Sequence, residues 1–375
     1  MTTRERFLRT MNLVSVDRPP NFELGYWGQT TDRWLNEGMP DEALTQVHPG
    51  GPFYGHEFFG IERRDYIPIN LGAMPPFQPE TIEETDRYII YCDGNGILRK
   101  ALKEGTVRGT RPSMDQYLRF PVTTRADFEA IKRRYDPASP ERLPANWLDA
   151  YQPPQERTAP LCLVPNGAFG LYSHLRRWMG TEGLSYAFYD DPTLVNEMLD
   201  YLVEFFVAVT EKVLNVAQVD YFNFFEDFAF KTGPLISPSI FRKFFMPRYR
   251  RIIEFLHSHG IRIIWLDSDG NFEALLPMLV EIGVTCIWPL EQAAGMDPHK
   301  LRRQYGRDLC LSGGLDKREI AKDKTAIERE VMSKVPELVA QGGYIPTLDH
   351  TFPPDISYDS FRYYLDIKLK AMEQG

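Results

Sequence analysis

From residue 160 onward the chain repeats one event. A strand-length apolar run ends in a turn carrying Asp, Glu or Asn, and a helix follows. It occurs six times, about every 30 residues. The runs are Leu161–Val164, Asp220–Phe225, 261–266, Val284–Trp288, Asp308–Leu311 and Gly343–Pro346. Helices are expected near 170–178, 183–189, 192–216, 238–259, 272–282, 297–305, 324–340 and 357–373. Strand–helix alternation of this kind builds a parallel sheet. Phe22–Trp27 and one strand hidden within 60–120 bring the count to eight. The predicted fold class is therefore α/β, a single (β/α)8 TIM barrel over residues 1–375. No G-x-G-x-x-G follows the first strand, which argues against a dinucleotide fold.

The first part of the chain is less regular. Residues 2–13 predict a short amphipathic helix capped by Thr2 or Thr3, and a second helix is expected near 30–37. Arg87–Leu98 predicts a β-hairpin, because Asp93-Gly94-Asn95-Gly96 separates two apolar runs. Prolines crowd 111–160 around a helix at 124–134, so 28–155 is expected to be a loop- and hairpin-rich region decorating the barrel. Net charge is −9 with a pI near 5.4, which supplies no basic face for a nucleic acid. No apolar run approaches the roughly 20 residues that span a bilayer, so no membrane association is expected. The amphipathic, acid-containing start is not a secretory signal. Cys92, Cys162, Cys286 and Cys310 show no C-x-x-C spacing and read as reduced thiols, so a cytoplasmic protein is expected.

Ligands are bound at the carboxyl ends of barrel strands. The residues placed there are Asn166, Glu226, Asp227, Asp267, Asp269, Glu291, Asp316, Asp349 and His350. Taken singly, each is as well explained by a helix cap or a turn. Together they describe an acidic, His-containing mouth suited to oxygen and imidazole ligation or to proton transfer. Asp267, Asp269, His350 and Glu226 are the catalytic candidates, with Asp267, Asp269 and His350 as a metal set. Tyr26, Trp27, Asn166, Phe169, His174, Asn223, Trp265 and Trp288 are the expected substrate-binding residues. His257 and His259 fit a helix C-terminus, while His48, His56 and His299 read as loop or surface residues.

Several blocks resemble the uroporphyrinogen decarboxylase superfamily. They are TTRERFLRTMNLVSVDRPP, EDFAFKTGPLISPSIFRKFFMPRYRRI, GIRIIWLDSDGNFEALLPMLVEIGVTCIWPLE, LCLSGGLDK and GGYIPTLDHTFPPDISYDSFRYYL. The resemblance implies a barrel and one of two chemistries. Porphyrinogen decarboxylases bind carboxylate arms through an arginine-rich R-Q-A-G-R-Y segment after the first strand, where this chain has FELGYWGQTTDRW. The other branch moves methyl groups to or from a corrinoid cobalt and binds zinc through H-x-C and a later Cys. Here Asp267-Ser268-Asp269 stands at the H-x-C position and His350 near the later Cys. Without thiolate ligands, activation of a thiol substrate is not expected.

The resemblance thus implies a methyltransferase closer to the corrinoid branch, of the O-demethylase kind. A methoxyarene is the favoured methyl donor, and Zn²⁺ at Asp267, Asp269 and His350 is a candidate Lewis acid. The Co(I) acceptor is expected on a separate corrinoid protein, because the chain carries no D-x-H-x-x-G. A homodimer is left open. Two rivals remain: a decarboxylase or lyase on a small aromatic or tetrapyrrole-like acid, for which Arg33 or Lys231 would supply cations, and a non-catalytic ligand-binding barrel.

Overall fold

Seven short parallel strands form one curled sheet in the computed structural model. The structure describes residues 1–45, 56–108, 111, 113–151 and 153–375; His48 lies outside them. In chain order the strands are β1 (Asp65–Tyr66), β2 (Glu80–Glu84), β3 (Tyr88–Cys92), β4 (Leu98–Leu102), β5 (Gln116–Arg119), β6 (Leu161–Cys162) and β7 (Tyr221–Phe225). There follow β8 (Ala229–Phe230), β9 (Gly233–Pro234), β10 (Ile263–Asp267), β11 (Cys286–Trp288), β12 (Cys310–Ser312) and β13 (Tyr344–Ile345). The parallel sheet runs β1-β6-β7-β10-β11-β12-β13.

The eighth stave differs from the expected strand. Phe22–Trp27 makes only a bridge, Tyr26 to Phe352, yet it lies where a strand would close the barrel. Glu62 N–H donates to Asn21 O on one side, and Phe352 N–H donates to Gly25 O on the other. What holds this stave is a buried side-chain clasp. The Glu23 carboxylate accepts Leu348 N–H at 3.0 Å and Tyr364 O–H at 2.7 Å, and it pairs with Lys368. Both charged side chains are fully buried. Lys368 also donates to Phe22 O at 3.1 Å. The stave is thus tied to the closing helix Tyr358–Met372 and to the loop after β13.

Alternation along the strands sorts residues between two cores. Tyr221, Ile263, Trp265, Cys286, Trp288, Cys310 and Ile345 fill the barrel. Phe222, Phe224, Ile264, Leu266, Ile287 and Leu311 face the surrounding helices. Successive side chains on a strand point to opposite sides, so this period-2 division follows from the pleat. Helix Thr3–Met11, held by a Thr2–Glu5 capping box, plugs the amino end of the barrel with Phe7 and Met11. All four cysteines are free, and Cys162, Cys286 and Cys310 are buried.

The decorating region contains more order than a hairpin. β2 to β5 form a four-stranded antiparallel sheet, with the expected β3–β4 hairpin turning through Asp93–Ile97. The helices expected at 170–178 and 183–189 merge into Leu171–Asp190, broken in backbone conformation at Gly180 (φ 73°). A Cβ there would lie 2.3 Å from Phe120, so a glycine is needed. His56 is also not at the surface: it is buried, its Nδ1 sharing a hydrogen bond with Tyr26 Oη at 3.0 Å. No helix among the described residues is long and apolar enough to cross a membrane.

The clasp yields a stability prediction. Lys368→Ala leaves Glu23 buried without its partner and is expected to cost about 3–5 kcal/mol, read from urea unfolding. Glu23→Gln combined with Lys368→Met is expected to lose much less. Wild-type stability in Lys368→Ala would show that the pair does not hold the closure.

Candidate functional site at the barrel mouth

The floor of the mouth is set by the top layer of inward side chains. Asp267 stands in register with Trp288 on β11 and Phe225 on β7. Trp288 Nε1–H donates to Asn223 Oδ1 at 3.1 Å, and Asn223 Nδ2–H donates to Asn166 Oδ1 at 2.8 Å. Arg64, buried just before β1, lies 5.4 Å from the Trp288 ring and 4.6 Å from that of Phe22, and donates to Glu23 O. Burial, then the Asp269 and Asp227 carboxylates, push Asp267 well above the ordinary carboxylate range, against the pull of Arg64. These effects favour the protonated form of Asp267, in which the carboxyl can donate a hydrogen bond.

The rim carries the mobile charge. His350 Nε2 lies 3.4 Å from Asp269 Oδ2, and both side chains are partly open to solvent. Burial lowers the His350 pKa, but the Asp269 hydrogen bond and charge outweigh it and the net shift is upward. Asp227 pairs with Arg176 at 3.3 Å; burial and Asp269 raise it. Its backbone is left-handed (φ 45°), which is strained for a non-glycine residue. Lys317 joins the rim between Glu291 (3.3 Å) and Asp349 (3.6 Å).

The other strand-end acids tie backbone together. Glu226 accepts the N–H groups of Leu171, Tyr172 and Ser173 at 2.7–3.1 Å and the hydroxyl of Tyr249. It caps the helix Leu171–Asp190. Burial pushes its pKa to about 7, against those donors. A Cβ at Gly170 would lie 1.9 Å from Phe225 O, so the glycine permits this close approach. Asp349 accepts Gln292 N–H and Lys317 N–H, linking three strand-end loops. Asp316 caps the helix Lys317–Ile320.

The structure thus brings Asp267, Asp269, His350, Asn166, Asn223, Trp288 and Trp27 to the mouth. The remaining expected residues point elsewhere. Trp265 lies one inward layer below Asp267 and donates to Met11 Sδ at 3.3 Å. Tyr26 packs outside the barrel against Trp34, Phe352 and Phe361. Phe169 belongs to the outer core, with its ring 4.5 Å from that of Phe206. His174 is fully buried, with Nδ1 2.8 Å from Gly170 O and Nε2 3.4 Å from Leu71 O. Asp267, Asp269 and His350 do not gather as a ligand set. No three His, Cys, Asp or Glu side chains among the described residues are placed to hold a metal ion. The sequence reading missed Arg64, Lys317, Thr351 and Arg177; only the charged Arg63-Arg64 pair before an apolar stretch was a signal for one of them.

The family profile "Uroporphyrinogen decarboxylase (URO-D)" matches residues 107–368. The chain belongs to the URO-D family. Among solved structures, a methyltransferase from Methanosarcina mazei aligns over 99% of this chain and 99% of its own, with a TM-score of 0.58 at 15% identity. Likeness at that identity establishes the fold, and the URO-D barrel is the fold observed. A search of curated proteins finds no match.

His174 yields a pH prediction. Burial lowers its pKa from 6.5 to about 3. Between those values the unfolded chain takes up a proton that the folded chain refuses, so stability is full above pH 6.5 and falls toward pH 3. His174→Gln is expected to flatten the dependence of urea stability on pH across that window. An unchanged slope would contradict the assignment.

Proposed function

We propose that this URO-D family protein is a methyltransferase that moves a methyl group from a small donor, favoured as a methoxyarene, to the Co(I) of a separate corrinoid protein. The observation that carries this reading is the Asp269–His350 pair, a carboxylate and an imidazole 3.4 Å apart at the rim above a buried acid. The methyltransferase fold neighbour supports the reaction class. In the proposed step the donor's O–CH3 bond breaks and the methyl is taken by the cobalt electron pair. The aryl oxygen takes the proton held between His350 Nε2 and Asp269. An aryl oxide leaves far more readily when protonated, which is general acid catalysis.

The remaining mouth residues take supporting roles in the proposal. Asp267, its protonated form favoured by burial, donates a hydrogen bond from the floor. Asn166 and Asn223 orient the donor above Trp288. Phe225 and Tyr66 offer the half-buried aromatic faces at the mouth. Zinc enters no step, because the three residues expected to bind it do not converge.

A lyase on an aromatic acid is the second reading, favoured by one observation. Arg177 lines a cavity of about 340 Å³ with Tyr66 and Gly167, beside the Phe225 ring, and forms no ion pair among the described residues. Arg33 and Lys231, the cations that the sequence offers for that reading, do not form a basic pair. Arg33 pairs with Glu37 and holds Pro354 O. Lys231 follows β8 in the exposed β8–β9 turn.

The test follows methylation of a Co(I) corrinoid protein by absorbance with a panel of methoxyarenes. Asp269→Asn and His350→Gln are each expected to slow it by about a hundredfold or more. A strong chelator is expected to leave the rate unchanged. Full activity in both variants would remove the pair from the mechanism, and chelator inactivation would restore a metal to it.

A further inference from the structure

His350 is held from both sides. Its Nε2 edge faces Asp269, while its Nδ1 edge shares a hydrogen bond with Thr351 Oγ1 at 2.8 Å. Thr351 Oγ1 in turn accepts Trp27 Nε1–H at 2.8 Å. The four residues come from three parts of the chain. Trp27 ends the irregular stave, His350 and Thr351 follow β13, and Asp269 follows β10. Other charges near His350 are Lys317 and Glu291, on the loops after β12 and β11.

We infer that Trp27 and Thr351 are positioning residues for His350, and that Trp27 acts through its indole N–H rather than by stacking on substrate. This rests on the proposed role of His350. The physical reason is directional. An indole N–H only donates, so it occupies one lone pair of the threonine oxygen and fixes where that oxygen sits. The fixed oxygen then limits rotation of the imidazole, and the ring nitrogen it does not engage is the one left facing Asp269. Backbone geometry supports the same arrangement: Trp27 N–H donates to Phe352 O, and Phe352 N–H to Gly25 O, locking the two segments together. Thr30 Oγ1–H also donates to Phe352 O at 2.7 Å. The indole therefore does not reach the threonine from a mobile loop.

The chain Trp27–Thr351–His350 makes a non-additive prediction. Trp27→Phe keeps an aromatic ring and removes the donor; Thr351→Val keeps the shape and removes the oxygen. Each is expected to lower kcat by roughly tenfold with KM little changed, the usual scale for orienting partners of a functional His. The double variant is expected to be no slower than Thr351→Val alone, and neither substitution is expected to matter in a His350→Gln background. If Trp27 stacks on substrate, Trp27→Phe or Trp27→Ala raises KM and still acts when Thr351 is valine; that result overturns the inference.

A readout independent of turnover separates this inference from the reaction assignment. Nitrogen-15 NMR of the His350 ring, assigned by its loss in His350→Gln, is expected to move in both Trp27→Phe and Thr351→Val and to stay put in Lys231→Ala. His350 signals unchanged by Trp27→Phe in a folded protein would refute the chain, whatever the enzyme's activity.

Discussion

The barrel closes on a buried charge pair where a strand would be expected. Glu23 and Lys368 are fully buried, and neither would be tolerated there alone. The remaining donors to Glu23, Leu348 N–H and Tyr364 O–H, come from the loop after β13 and from the closing helix. One carboxylate therefore fixes the height of the irregular stave against the loop that carries Asp349, His350 and Thr351. Trp27, four residues beyond Glu23, meets Thr351 because of that registration. Closure of the fold and orientation of the rim histidine are consequences of the same contact.

Strand ends in this protein use carboxylates in two physically distinct ways. Where a carboxylate meets backbone N–H groups, as at Glu226, Asp316 and Asp349, it satisfies the open ends of helices and loops. Where carboxylates face one another across the mouth, as Asp227 and Asp267 do beside Asp269, burial and repulsion raise the pKa values of Asp227 and Asp267. The second arrangement costs stability and is found where chemistry is done. His350 stands against this acidic group and Lys317 beside it, so protonic charge can be held at the rim without a metal ion.

Much of the fold was legible because it depends on patterns that repeat. The apolar runs, acidic turns and helices from 160 onward give the parallel sheet and its mouth, and Asp93-Gly94-Asn95-Gly96 gives its hairpin. Phe22–Trp27 has the composition of a strand, but its hydrogen bonds fall at irregular spacing and run through its own Glu23 side chain, which no local pattern announces. The site was legible only in part. Asp267, Asp269 and His350 were found from their position at strand ends. Trp265 and Trp288, both in apolar runs, could not be told apart until the register showed one to be a layer below the other. Glu226 and His174 read as mouth residues because sequence does not reveal that the following helix start faces Glu226, or that His174 lies between two carbonyls. Thr351 and Arg64 gain their meaning from partners more than 200 residues away.

Family membership and fold place this chain among enzymes whose barrels serve more than one chemistry, so the site has to discriminate between them. In the proposed mechanism the Asp269–His350 pair gives its proton to a leaving aryl oxygen. The most direct measurement is the rate of corrinoid methylation from methoxyarenes of graded phenol acidity, in the wild type and in Asp269→Asn. Protonation by the enzyme predicts a shallow dependence on phenol pKa in the wild type and a steep one in the variant. Equal slopes in the two proteins would mean that the pair does not protonate the leaving oxygen.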